Sequence, residues 1–117
     1  MIVNPEKILK CCDDVKNLVG VLEKIYGTVI ITSGYRTAEE NAAAGGKQNS
    51  AHMKGQAVDL MVQNVSCIKI AAKALENSRG IRGVGLDVFQ NYCHIDYMDR
   101  GVQNAVYWVY NRSGQAI

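Results

Sequence analysis

Apolar residues recur every three or four positions at Ile8, Cys12, Val15, Val19, Leu22 and Tyr26, the spacing of a helix with one buried face. Asn4 as N-cap, Pro5 at the first helical position and Glu6 in the first turn predict its start, and Gly27 its end. Thr28–Thr32 is β-branched throughout and short, which predicts a buried strand that delivers Ser33-Gly34-Tyr35-Arg36. Thr37 with Glu40 three residues on is a capping box, opening a short helix through Ala44 that Gly45-Gly46 ends. A polar loop, Lys47–Ser50, then leads to a second strand at Ala57–Val62. Ser66 or Asn64 caps a third helix, with Ile68, Ala71, Ala72 and Leu75 as its inner face. Gly80, Gly83 and Gly85 predict tight turns around a strand near Val84–Leu86, and Tyr92–Tyr97 and Ala105–Tyr110 read as the last two strands. The order of elements predicts an α+β fold, N-terminal helices packed on a mostly antiparallel sheet.

Alternation within Tyr92–Tyr97 sorts the residues by face. Cys93, Ile95 and Tyr97 should point to the core, and Tyr92, His94 and Asp96 to the opposite side. Length changes this picture little: 117 residues suit one domain spanning 1–117. Net charge is +2 with no long run of either sign, so nucleic acid is not expected as a partner. Cys11, Cys12, Cys67 and Cys93 show no C-x-x-C spacing and read as buried free thiols. Met1–Lys7 lacks the pattern of a signal peptide, and no apolar run approaches the roughly 20 residues of a membrane span. Synthesis in the cytosol and no membrane insertion are the expectations.

Candidate chemistry centres on Ser50–Asp59, which reads S-x-H-x-x-G-x-A-x-D. His52 and Asp59 lie seven positions apart with small residues between, and Gly55 and Ala57 let the chain turn back into a strand. The chain has two histidines, and the second is His94 on the strand described above. Two imidazoles and one carboxylate make the three-ligand set with which a catalytic Zn²⁺ keeps a position for water.

Taken in order, S-G-Y-R at Ser33–Arg36, Asn41, Gly45-Gly46, the Ser50–Asp59 stretch and H-x-D at His94–Asp96 form a series. The series resembles the zinc D-Ala-D-Ala carboxypeptidase family, peptidoglycan metallopeptidases that share a fold with the Hedgehog signalling domain. The resemblance covers roughly Ile30 to Trp108. It implies a Hedgehog/DD-peptidase-like fold with His52, Asp59 and His94 as zinc ligands. It further implies Arg36 as stabiliser of the oxyanion, with Ser50 and Tyr35 at the substrate. A surface ion pair for Arg36 and a loop cap for Ser50 are the plainer readings.

Several branches of that family carry an acid three residues before the last zinc histidine. Here the position is Asn91, which cannot accept a proton. The H-x-D branch offers Asp96 as general base, or as a residue that orients Arg36 or a zinc histidine. Asp87 is the reserve candidate. The implied activity is hydrolysis of peptidoglycan stem or cross-bridge peptides, of carboxypeptidase or endopeptidase type. A chain of this length without a signal or wall-binding repeat reads as a phage lysis or tail-associated enzyme that would act at the cell wall, with a bacterial cytosolic recycling peptidase as the other reading. The alternative is a zinc-containing binding or structural module of the same fold.

Overall fold

A computed structural model describes residues 1–117. Apolar alternation along the strands decides its layering. Val29 and Ile31 lie on β2 (Val29–Ser33), Val58 and Leu60 on β3 (Ala57–Met61), Val84 on β4 (Gly83–Asp87), and Cys93 and Ile95 on β5 (Tyr92–Asp96). All seven are buried, and together they form one side of a sheet. Val15, Leu18, Val19 and Leu22 of α1 (Asp13–Tyr26) pack there with Cys67, Ile70, Ala71 and Ala74 of α3 (Cys67–Asn77). The core therefore lies between helices and sheet, and the other face is left for polar side chains.

The sheet has six strands in the order β1-β2-β3-β5-β4-β6, with β1 at Ile2–Val3 and β6 at Val106–Val109. β1 and β6 pair parallel to their neighbours, and the three inner pairings are antiparallel. This is a mixed α+β arrangement. No helix is long and apolar enough to cross a membrane.

Four local expectations change. The first helix does not run unbroken from Pro5. Pro5–Ile8 is a 3₁₀ turn, and α1 starts only at Asp13. Lys7 O accepts the Tyr35 N–H (2.9 Å), and the Cys12 N–H donates to Gly55 O (2.8 Å), so tertiary partners take groups a continuous helix would need. Asn4 sits at φ 62° and makes no side-chain cap; its Nδ2 donates to Ile31 O instead. On α3 the buried face is rotated by one position. Ile68 is 56% and Leu75 41% exposed, while Cys67, Ile70 and Ala74 turn inward.

Gly83 and Gly85 lie inside β4 rather than at turns. β1, formed by Ile2 and Val3 against Val29 and Ile30, has no counterpart in the sequence reading. The capping box at Thr37 and Glu40, opening α2 (Ala38–Ala43), forms as expected, as does the Ser66 cap of α3.

Candidate metal centre

Strand register draws the candidate ligands into one line across the sheet. Asp59 of β3 lies opposite His94 of β5, His94 opposite Gly85 of β4, and Gly85 opposite Trp108 of β6. These positions share the face turned away from the helices. An irregularity between Ile31 and Ser33 brings Ser33 opposite Asp59 at the end of β2. His52 reaches the same place from outside the sheet. Ser50 Oγ accepts the His52 N–H (3.2 Å) at the start of a 3₁₀ turn, Ala51–Lys54, and Gly55 closes the turn at φ 68°. That left-handed conformation suits glycine, and the chain then enters β3 two residues later.

His52 Nε2 is 3.2 Å and His94 Nδ1 2.9 Å from Asp59 Oδ1. One donor atom from each of the three residues lies within 4.8 Å of the others, and all three are buried. The remaining ring nitrogens are already engaged. His52 Nδ1–H donates to Gly34 O (2.8 Å), and His94 Nε2–H donates to Asp96 Oδ2 (2.6 Å). With those two nitrogens held, His52 Nε2 and His94 Nδ1 are both turned onto one spot beside Asp59.

Charge at the site follows from this wiring. Burial pushes the Asp59 carboxyl up, but hydrogen bonds from His52 and His94 outweigh it and hold the group well below the usual carboxylate range. Burial pulls His94 down, and hydrogen bonds to Asp59 and Asp96 more than reverse this, lifting it to about 9. Two ring nitrogens and a buried carboxylate turned onto one spot make a donor set suited to a cation. His52, Asp59 and His94 could hold a metal ion there.

A family model described as peptidase M15 matches residues 1–96. The chain belongs to the peptidase M15 family. M15 peptidases are generally metal-dependent, which agrees with the donor set. The chain is also similar to a probable peptidoglycan L,D-endopeptidase, MepK, of Haemophilus influenzae. Identity is 35% over 71 residues, covering 56% of this chain and 37% of that relative, so the chain matches little more than a third of the relative's length.

In this M15 chain the candidate ligand trio opens into a cleft of about 720 Å³. Arg36 and Ser50 line it. Arg36 Nε donates to Ser33 Oγ (2.9 Å), which directs Nη2 to 3.7 Å from Asp59 Oδ2. Tyr35, expected at the substrate, does not line the cleft. Its ring packs against the main core with the Lys10 ammonium 5.6 Å above it. Asp96, on the expected face of β5, is fully buried beneath His94 and also lies outside the lining. Both its oxygens are occupied: Oδ1 by Met98 N–H and Arg100 Nη1, Oδ2 by His94 and Arg100 Nη2.

Asn91 and Asp87 are used by the fold. Asn91 Oδ1 accepts the Cys67 N–H at the start of α3, and its Nδ2 donates to Val65 O. Asp87 Oδ1 accepts the Phe89 and Gln90 N–H groups in the turn before β5. Asp59 is thus the one carboxylate side chain among the cleft residues.

The opposite wall went unread in the sequence. It is built largely after residue 96, beyond the matched span, by Trp108, Tyr110 and the segment Gly114–Ile117, with Tyr92 beside them. The Trp108 ring lies 5.2 Å from that of His94 and 5.9 Å from the Arg100 guanidinium. Space for these groups comes from the two glycines of β4. A Cβ on Gly85 would meet Trp108 Nε1 at 2.5 Å, and one on Gly83 would lie 2.8 Å from Asp96 Cγ. Two glycines at alternate positions within a strand signal close approach by other groups, the clue that could have revealed this wall.

Proposed function

We propose that this chain is a zinc-dependent peptidase that hydrolyses peptide bonds in peptidoglycan stem or cross-bridge peptides. We propose further that residues 1–117 act as one domain with Hedgehog/DD-peptidase-like packing. The observation that carries the reading is the convergence of His52 Nε2, His94 Nδ1 and Asp59, with both remaining ring nitrogens hydrogen-bonded. Two neutral imidazoles and a carboxylate fit Zn²⁺, which when bound would lower the pKa of a coordinated water towards about 7 and polarise a carbonyl.

The protein's own groups supply the rest. Arg36, aimed by Ser33, gives a fixed cation for the negative charge that develops on the scissile carbonyl oxygen. Burial raises the Tyr92 and Tyr110 phenols, Tyr110 to about 12, so both remain protonated donors at neutral pH. Ser50 keeps its hydroxyl hydrogen for a polar group of the substrate, because its oxygen serves as the acceptor for His52 N–H. Asp96 holds His94 in orientation. The relative named as a peptidoglycan L,D-endopeptidase favours cleavage of an internal bond over removal of a terminal residue.

Incubation of purified sacculi with the protein, followed by mass spectrometry of the released peptides, tests this. Release that stops with a chelator and returns with Zn²⁺ is expected. Intact sacculi in the presence of zinc-loaded protein would overturn it. A second reading, a zinc-containing binding module, is favoured by the lack of any cleft carboxylate other than Asp59. It predicts zinc-loaded protein that cosediments with sacculi and releases nothing.

A further inference from the structure

Asn41 is a buried amide, 3% exposed, on the six-residue helix α2, and it lies outside the cleft lining. Its side-chain Nδ2 donates to Lys47 O (2.7 Å), and its backbone carbonyl accepts the Gly46 N–H (2.8 Å). Its Oδ1 is buried with no hydrogen-bond partner and lies against Gly46. A Cβ at Gly46 would overlap that oxygen and sit 2.6 Å from Asn41 Cγ. Gly45, at φ 73°, turns the chain into this contact. The segment so held supplies Gly45, Lys47 and Ser50 to the cleft, and Ser50 opens the turn that carries His52.

We propose that Asn41 is a positioning residue: its amide ties the Gly45–Ser50 segment from behind, and this tie sets the shape of the cleft wall that meets the substrate. The proposal rests on the peptidase reading. An unsatisfied buried oxygen costs stability that an apolar side chain of similar size would avoid. The amide therefore contributes the donor to Lys47 O rather than packing. Without that bond the segment must be ordered by the substrate itself, and binding weakens.

The test uses Asn41→Ala and the near-isosteric Asn41→Asp, which keeps the shape but has no donor for Lys47 O. Lys47 O belongs to the peptide bond that trypsin would cut after Lys47. Both variants should be nicked there about 10-fold faster than the parent, by the loss of local protection. KM for a soluble wall peptide should rise about 10-fold with kcat within about 2-fold, as expected when binding alone is weakened. Zinc content should be unchanged. Gly46→Ala should raise KM in the parent and do so less in the Asn41→Ala background, where the colliding amide is gone.

Unchanged nicking in both variants would overturn the proposal, as would faster nicking without a change in KM. A matching loss of zinc and kcat would make Asn41 merely structural. Should the parent cleave no wall peptide, the peptidase reading and the KM claim fall together, while nicking still reports whether the tie exists.

Discussion

Each oxygen of Asp96 already accepts two hydrogen bonds, and the carboxylate is buried behind His94, away from where a substrate would lie. Asp96→Asn should therefore weaken zinc affinity by about 10- to 100-fold, with turnover recovering in excess zinc. A fall in kcat of about 10²- to 10⁴-fold at saturating zinc, with affinity intact, would instead make Asp96 a proton acceptor. Replacing His52, Asp59 or His94 by Ala should abolish most zinc binding, and elemental analysis finding full zinc in any of them would dissolve the trio. Arg36→Lys should keep fold and metal while lowering turnover by roughly 10²-fold, since an ammonium cannot reproduce the aimed guanidinium. Spacing and residue type made the convergence of His52, Asp59 and His94, and the place of Arg36 beside them, readable in the sequence. Tyr35 was not, because its direction depends on the Tyr35 N–H to Lys7 O bond, a contact between segments far apart in the chain.

At the level of elements, local chemistry predicted well where partners are local and poorly where they are distant. The Thr37–Glu40 box needs only its own four residues, and it forms. The helix through Ile8 and Cys12 had the right period but lost its continuity to Tyr35 and Gly55. The face of α3 was misjudged because Ile68 and Leu75 share a helical spacing with buried neighbours, yet the sheet meets Cys67, Ile70 and Ala74. Asn91, readable in sequence only as a missing acid, closes the exposed amide end of that helix. Asn91→Ala should cost about 1 kcal/mol, the usual value of a helix cap. Its φ of 56° adds a second penalty for an ordinary side chain. Urea unfolding checks this: the midpoint should fall with the slope unchanged.

For the whole molecule, metal and protons compete for the same lone pairs, and stability should report it. His94 rises from an ordinary value of 6.5 to about 9 on folding. The contribution of that proton to stability is complete below about 6.5 and disappears as pH climbs through about 9. Metal-free protein should therefore lose melting temperature over this interval. With zinc on His94 Nδ1 no proton is held there, so the loaded form should lose less, and at neutral pH it should melt higher than the chelated form. Thermal melts at about pH 6 and about pH 10, with and without chelator, test both statements. Parallel curves would detach the metal from the fold.

Asp59 and His94 are direct neighbours across the β3–β5 pairing. A slip of one residue between these strands would turn one of the two towards the helices and bring an apolar side chain into its place. Misaligned chains then cannot assemble all three donors, whatever else they bury. A bound ion would in this sense be a checksum on strand alignment: only chains whose two central strands are correctly matched would gain its binding energy, so zinc should enrich the native pairing during refolding at the expense of its nearest competitors.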